Sequence, residues 1–309
     1  MKYIRTFNES TNTSEIEAIC EIYNIKNYII NEDGSIDVDG DVYLSREKLK
    51  VLPLKFRKVS GNFECRNNKL ISLEGGPQHV GSNFNCNDNQ LTSLVGCPQS
   101  IGGNFNCSGN QLTSLKGSPQ NVGGYFDCNS NQLTSLEGCP QSIGGYFNCN
   151  DNQLTTLEGV PQRVGGGFYC GSNQLTTLEG VPQRVGGNFS CSDNKLTSLE
   201  GAPQRVGGIF WCDFNNLKNI DYLPKYYKEL FIGDNPIYKI IKLFTTSDMT
   251  GMIYDNRENK DLIMDFIDRE IIQQDKLLVN RLVEFLDDIG KPKSREELIE
   301  LLKNNYTIR

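Results

Sequence analysis

Apolar and polar positions recur with a period of 21 residues between Phe63 and Asn215. The skeleton is Phe-x-Cys-x-x-Asn-x-Leu-x-x-Leu-x-Gly-x-Pro-Gln-x-(Val/Ile)-Gly. Phe63, Phe84, Phe105, Phe126, Phe147, Phe168, Phe189 and Phe210 form one column. Cys65 to Cys212 and Asn68 to Asn215 form two more in the same steps. Phe and Cys stand one residue apart, so in a strand they share a face, and the residues before, between and after them point the other way. Each period therefore predicts one short strand, and stacked periods predict a parallel sheet. The two Leu, the Pro and the Val or Ile carry the chain back around the core. The glycines before each Phe allow a tight bend. The Asn column is expected inside, its amides bonded to backbone groups of their own and adjacent coils.

Outside the repeats the pattern changes. Ile16, Ile19, Cys20 and Tyr23 follow helical spacing, so a helix is predicted over Ser14 to Ile25 with Ser14 as its cap. Strands are predicted at Tyr28–Ile30 and Ile36–Val38 around a turn at Asn31 to Gly34. Val42 to Leu52 reads as a degenerate first coil, and Phe231 to Ile237 as a shortened last one. Helices are predicted over Ile237–Phe244, Lys260–Ile272, Lys276–Leu286 and Ser294–Asn304, the last with a Ser294/Glu297 capping box. The expected division is a flexible leader at 1–13, an N-terminal cap at 14–41, the solenoid at 42–236 and a helical C-terminal cap at 237–309. Both caps are expected to cover open ends of the stack.

The repeat resembles the leucine-rich repeat, with Phe-x-Cys-x-x-Asn-x-Leu standing where that family has Leu-x-Leu-x-x-Asn-x-Leu. Its Leu-x-x-Leu and Pro-Gln-x-Val return resembles the short-repeat subfamily of bacterial type III secreted effectors. The run Asp33 to Gly40 (Asp-Gly-Ser-Ile-Asp-Val-Asp-Gly) resembles repeat proteins of large tailed phages. The resemblance implies an α/β repeat solenoid, a leucine-rich-repeat-like parallel β-sheet stack with helical caps. Effectors of this kind with ubiquitin-ligase activity carry a large C-terminal domain with a catalytic cysteine; this chain has no cysteine after Cys212. Met1 to Glu9 resembles the capsid-targeting leaders of T-even phage internal head proteins, which are cut after a Glu. That resemblance implies a virion-interior location followed by ejection into a host.

Composition narrows the function. A net charge of −7 over 309 residues argues against general nucleic-acid or anionic-membrane binding. No apolar run suits a bilayer span or a secretory signal. Of eleven cysteines, eight occupy the core column, where buried free thiols in a reducing compartment are expected, and hence a cytoplasmic location. Cys97 and Cys139 lie two coils apart, too far to bridge. The one histidine, His79, falls at a surface position. There is no Cys-x-x-Cys pair for zinc, and Asp33, Asp37, Asp39 and Asp41 lack the spacing of a calcium loop. No metal, cofactor or catalytic residue is expected, and the chain reads as non-enzymatic.

Chemistry is left to the outer face of the sheet. Its columns are rich in Asn and Ser and gain aromatics toward the C-terminal half. Tyr125, Tyr146, Asp127, Asn148, Tyr169, Trp211 and Asp213 are the candidate binding residues. Tyr beside Ser, Gly and Asn is the composition of adaptable recognition surfaces, and exposed Trp211 and Tyr169 suit anchors. Arg163, Arg184 and Arg205 recur in successive coils as a basic ridge, with Glu158, Glu179 and Glu200 expected to pair with them in a salt-bridge ladder. Protein binding is the expected function, with carbohydrate recognition or a structural virion role as alternatives.

Overall fold

The computed structural model describes residues 12–246, 252–253, 257–273 and 276–309. The leader expected at 1–13 lies outside the described residues except for Asn12 and Thr13. The chain divides into two compact units, Met1–Tyr169 and Cys170–Arg309. Both contain stacked coils of a parallel β-solenoid. Among the described residues no helix is long and apolar enough to cross a membrane.

In the first unit the predicted strands are two residues long. Val42–Tyr43, Phe63–Glu64, Phe84–Asn85, Phe105–Asn106, Phe126–Asp127, Phe147–Asn148 and Phe168–Tyr169 pair in parallel, each residue opposite its equivalent one coil on. The 21-residue pattern predicts one strand per coil, and the structure has two. A return strand forms where the reading placed only a turning segment: His79–Val80, Ser100–Ile101, Asn121–Val122, Ser142–Ile143 and Arg163–Val164 pair in parallel behind Phe56–Val59 and Ile36–Val38. The coil is thus a flattened loop with two sheet faces.

The core between them is what the columns required. Phe63 to Phe168 are fully buried, with successive ring centroids 5.0–5.9 Å apart. Each Asn amide bridges two coils. Asn131 donates from Nδ2 to the carbonyls of Cys107 and Cys128 (both 3.1 Å) and Asn129 (3.2 Å), and its Oδ1 accepts from Leu112 N–H at 3.0 Å. Every donor and acceptor on the amide is used, which is why it can be 9% exposed inside an apolar core. All eleven cysteines are free and buried. Cys128 Sγ donates to Asn148 O at 3.3 Å, and burial pushes the column's thiols well above their usual pKa.

The glycines have a reason beyond bending. A Cβ on Gly102, Gly123 or Gly144 would stand 2.0–2.1 Å from the carbonyl oxygen of the glycine one coil earlier. Their column lets backbones of adjacent coils touch.

At the N-terminal end helix α1 spans Thr13–Ile22, with Asn12 rather than Ser14 as its cap; Asn12 Oδ1 accepts from Ser14 N–H at 3.4 Å. The hairpin of Tyr28–Ile30 and Ile36–Val38 forms as expected, and Gly34 takes φ +74° in its turn. The aspartates are bonded to the next coil: Asp33 to Lys55 at 2.8 Å, Asp37 to Arg57, Asp39 to Ser60 at 2.8 Å and Asp41 to the Asn62 N–H at 2.7 Å.

In the second unit Phe189–Ser190, Phe210–Trp211 and Leu230–Phe231 continue the same strand pattern. Leu230, Ile232 and Asn235 take the Phe, Cys and Asn roles of the last coil; Asn235 donates to Cys212 O (2.9 Å) and Ile232 O (3.1 Å) and accepts from Leu217 N–H (2.9 Å). The edge of this coil is paired by an antiparallel strand, Met252–Ile253.

The C-terminal helices are shorter than predicted. They are α2 (Tyr238–Ile241), α3 (Arg257–Asp268), α4 (Val279–Asp288) and α5 (Arg295–Leu302), the last opened by the expected Ser294/Glu297 capping box. Ile272–Gln273, Lys276–Leu277 and Thr307–Ile308 form a three-stranded sheet, which takes Ile272, Lys276 and Leu277 out of the helices expected for them. β-branched Ile272, Thr307 and Ile308 suit that sheet. Phe244, Phe266 and Phe285 pack together at 5.0–5.9 Å, and Tyr306 Oη donates to Lys218 O at 3.0 Å, tying this region to the coils.

Candidate binding face

Three of the candidate residues come together in the first unit. Tyr125 and Tyr146 precede Phe126 and Phe147, so they occupy the same outward column in adjacent coils. Their rings stack at 4.5 Å with planes 7° apart. Tyr169 belongs to the next column, between Phe168 and Cys170. Its ring nevertheless turns to meet Tyr146 edge-on, at 6.0 Å and 81°. Space for that comes from Gly167, which stands where Tyr125 and Tyr146 stand in their coils. A Cβ there would lie 2.7 Å from Tyr169 Oη and 2.9 Å from its ring. The three tyrosines are consequently half-buried by one another, not fully exposed as the sequence suggested.

Asp127 sits beside this cluster, bonded to the Asn129 N–H at 3.1 Å. Burial holds its carboxyl above the usual carboxylate range, only partly offset by the Asn129 N–H and the Asn148 amide. Burial foremost, then the Asp127 charge, raises the Tyr146 hydroxyl above its usual value. The Tyr146 hydroxyl is therefore neutral at physiological pH. Asn148 Oδ1 is engaged by the Asn150 N–H at 3.1 Å, and the same turn recurs at Asn85 and Asn106. Along the column before Phe a second ladder runs from Asp41: Asn83 N–H meets Asn62 Oδ1 at 3.1 Å, Asn104 N–H meets Asn83 Oδ1 at 2.8 Å, and Tyr125 N–H meets Asn104 Oδ1 at 2.9 Å. Many outward amides are thus committed within the sheet.

The other candidates lie in the second unit. Trp211 is half-buried rather than exposed, because its ring packs against Phe231 of the next coil at 5.9 Å. Asp213 accepts from Ser192 Oγ at 2.5 Å. One residue the sequence reading passed over is more prominent than either: Phe214 is 57% exposed.

The arginines do not form the expected ladder of ion pairs. Arg163 is exposed on the first unit's return strand. In the second unit Arg184 and Arg205 pair in register, and the Arg205 guanidinium lies 4.9 Å from the Tyr226 ring centre. Among the described residues no ion pair joins Arg163 to Glu158, or Arg184 or Arg205 to Glu179 or Glu200. The reason is columnar: stacking brings equivalent positions together, so a position-12 side chain meets position 12 of the next coil. Lys116 and Glu137 do this at 3.2 Å.

No protein-family model matches the chain, and no curated protein matches it. Among solved structures it is similar to YopM from Yersinia enterocolitica WA-314, at 21% identity and a TM-score of 0.49, over 63% of this chain and 47% of that one. It is also similar to YopM from Yersinia pestis, described as a leucine-rich effector protein, at 18% identity and a TM-score of 0.39, over 64% of this chain and 67% of that one. The chain thus spans about half the length of the first of these.

Proposed function

We propose that this chain is a non-enzymatic protein-binding scaffold whose outward sheet face makes the contact, with Tyr125, Tyr146 and Tyr169 as its centre. The observation that carries this is the turned ring of Tyr169 over Gly167. Two departures from the repeat, a glycine in one column and a tyrosine in the next, combine to build one continuous aromatic surface. Rigid tyrosines offer large contact area with little side-chain entropy to lose. Protein is favoured over glycan because the nearby amide oxygens of Asn148 and Asn104 already accept backbone N–H groups, leaving fewer polar groups for sugar hydroxyls. The finer reading is that of a phage-encoded modulator of a host factor, and it rests on the resemblance of Asp33 to Gly40 and of the leader.

A pull-down from bacterial lysate read by mass spectrometry tests the reading. Tyr169→Ser installs the residue of the equivalent place at 190, and Gly167→Asn installs that of 188; both should fold, which circular dichroism checks. A protein captured by the intact chain and lost with each variant supports the proposal. Identical catches overturn it, and binding on a glycan array that both variants abolish would move the function to carbohydrate recognition.

A further inference from the structure

Every coil turns out of its Phe strand through a residue in the left-handed region, four places after the Phe. In the second unit these are Ser172 (φ +49°), Asp193 (+55°), Phe214 (+51°) and Asp234 (+52°). In the first they are Arg46, in the degenerate coil that begins with Val42, then Asn67, Asp88, Gly109, Ser130 and Asp151. Gly, Asn and Asp are the residues that tolerate this backbone, and a bulky aromatic there is an outlier. The coils on either side hold Phe214 in it. Its N–H donates to Gly233 O at 3.1 Å, and its carbonyl accepts from Asn194 N–H at 3.2 Å. The ring is left largely in solvent: it is 57% exposed, and among the described residues it meets no other aromatic ring.

Its surroundings have a definite charge. Asp193 and Asp234 hold the same position in the coils on either side, about 4.8 Å away along the stack. Both are exposed, and among the described residues neither is in an ion pair. An open aromatic face between two free carboxylates suits a planar cation: a guanidinium stacks on the ring and donates to carboxylates at its edge. We propose that Phe214, Asp193 and Asp234 form a contact surface for an arginine side chain of a protein partner. This surface includes none of the tyrosine residues of the proposed function, so each can fail alone.

The test is fluorescence polarisation with the full chain and a short labelled peptide of alternating arginine and glycine. A lysine–glycine peptide and a citrulline–glycine peptide serve as comparisons. The arginine peptide is expected to bind best and the citrulline peptide not at all. Phe214→Asn leaves the net charge unchanged and is expected to weaken arginine-peptide binding about tenfold, as loss of a cation–π contact should. Asp193→Asn with Asp234→Asn should weaken it as much and flatten its salt dependence. Because Asn suits the backbone, Phe214→Asn should also raise the thermal midpoint; Phe214→Ser gives a second check. Unchanged binding by Phe214→Asn would show only bulk attraction to an acidic protein and overturn the proposal. So would equal binding of the citrulline peptide, no binding to the intact chain, or a lowered midpoint in both Phe214 variants, which would make the ring structural.

Discussion

Asn131→Ala removes one rung of the internal amide ladder, and the structure says what is left behind. The carbonyls of Cys107 and Cys128 each keep a second amide donor, Asn110 at 3.0 Å and Asn152 at 3.2 Å respectively. The Leu112 N–H keeps nothing, since Asn131 Oδ1 is its partner and the site is buried. An orphaned buried N–H costs about 1–3 kcal/mol, and the weakened carbonyl bonds about 1 kcal/mol more. The expected loss is therefore about 3 kcal/mol. Asn68→Ala, in the half-buried first rung, frees Leu49 N–H where water can reach it, and should cost about 1 kcal/mol. Because stacked repeats need not unfold as one unit, amide exchange is a better assay than a global melt. Protection of the Leu112 amide should fall about a hundredfold in Asn131→Ala. Equal costs for the two variants, or no change at Leu112, would refute the argument that the ladder holds by completeness of bonding.

Gly144→Ala should be far more damaging than its size suggests, because its Cβ would meet Gly123 O at 2.0 Å; loss of soluble protein, or of cooperative melting, is the readout. The core thiols should resist a thiol reagent in the folded chain at neutral pH and react once urea is added, since burial keeps them protonated. Asp127 carries a raised folded pKa, so its contribution to stability is complete below the unfolded carboxylate value and lost as pH rises through the folded one. Asp127→Asn should thus melt higher than the parent at neutral pH, with the difference shrinking toward acid pH. Phe214→Asn should stabilise by up to about 1 kcal/mol in denaturant unfolding, part of the roughly 1–2 kcal/mol left-handed penalty, because Asn is an L residue that tolerates this backbone better.

Inward positions were legible because one chemical demand is made of them in every coil. A Phe, a Cys, two Leu and an Asn fill the same space each time, and the 21-residue period states it repeatedly. The return strand was not legible. Arg163–Val164 or Ser142–Ile143 alternates over only two residues, too short for periodicity, and its pairing comes from stacking rather than local preference. Asn235 was hidden because Leu230 and Ile232 replace the Phe and Cys that mark the column. Lys276 and Leu277 had helical neighbours in sequence, while their strand partners Thr307 and Ile308 are thirty-one residues away. Trp211 and Tyr169 were misjudged for one shared reason: an outward column says which way a side chain leaves the sheet, not whether a neighbouring coil offers a ring to lie on. Phe214 carried a readable signal, as a lone aromatic among Asn, Asp, Ser and Gly at its position, but its weight depends on the sign of φ.

A solenoid of this kind separates stability from recognition by column. Inward and turn positions are held by shared constraints, so any departure there must be tolerated by the coils on both sides. Where a constrained column is broken, the break is informative in proportion to its penalty. In the outward column before Phe, which is less constrained, Gly167 gives up a side chain that could join the ladder and in exchange lets Tyr169 reach Tyr146. Phe214 departs at a position where backbone geometry penalises it and its exposure limits the packing it regains. A Ser-for-Asn difference on the outer face carries no such argument, because either fits. The two breaks therefore rank above the Asn-rich columns as candidate recognition sites, and they make opposite stability predictions. Gly167→Asn must displace a packed ring and should lower the melting midpoint, whereas Phe214→Asn should raise it. If both variants raised it, the tyrosine cluster would be strained rather than supported by its own packing, and the case for a preformed contact surface there would fail.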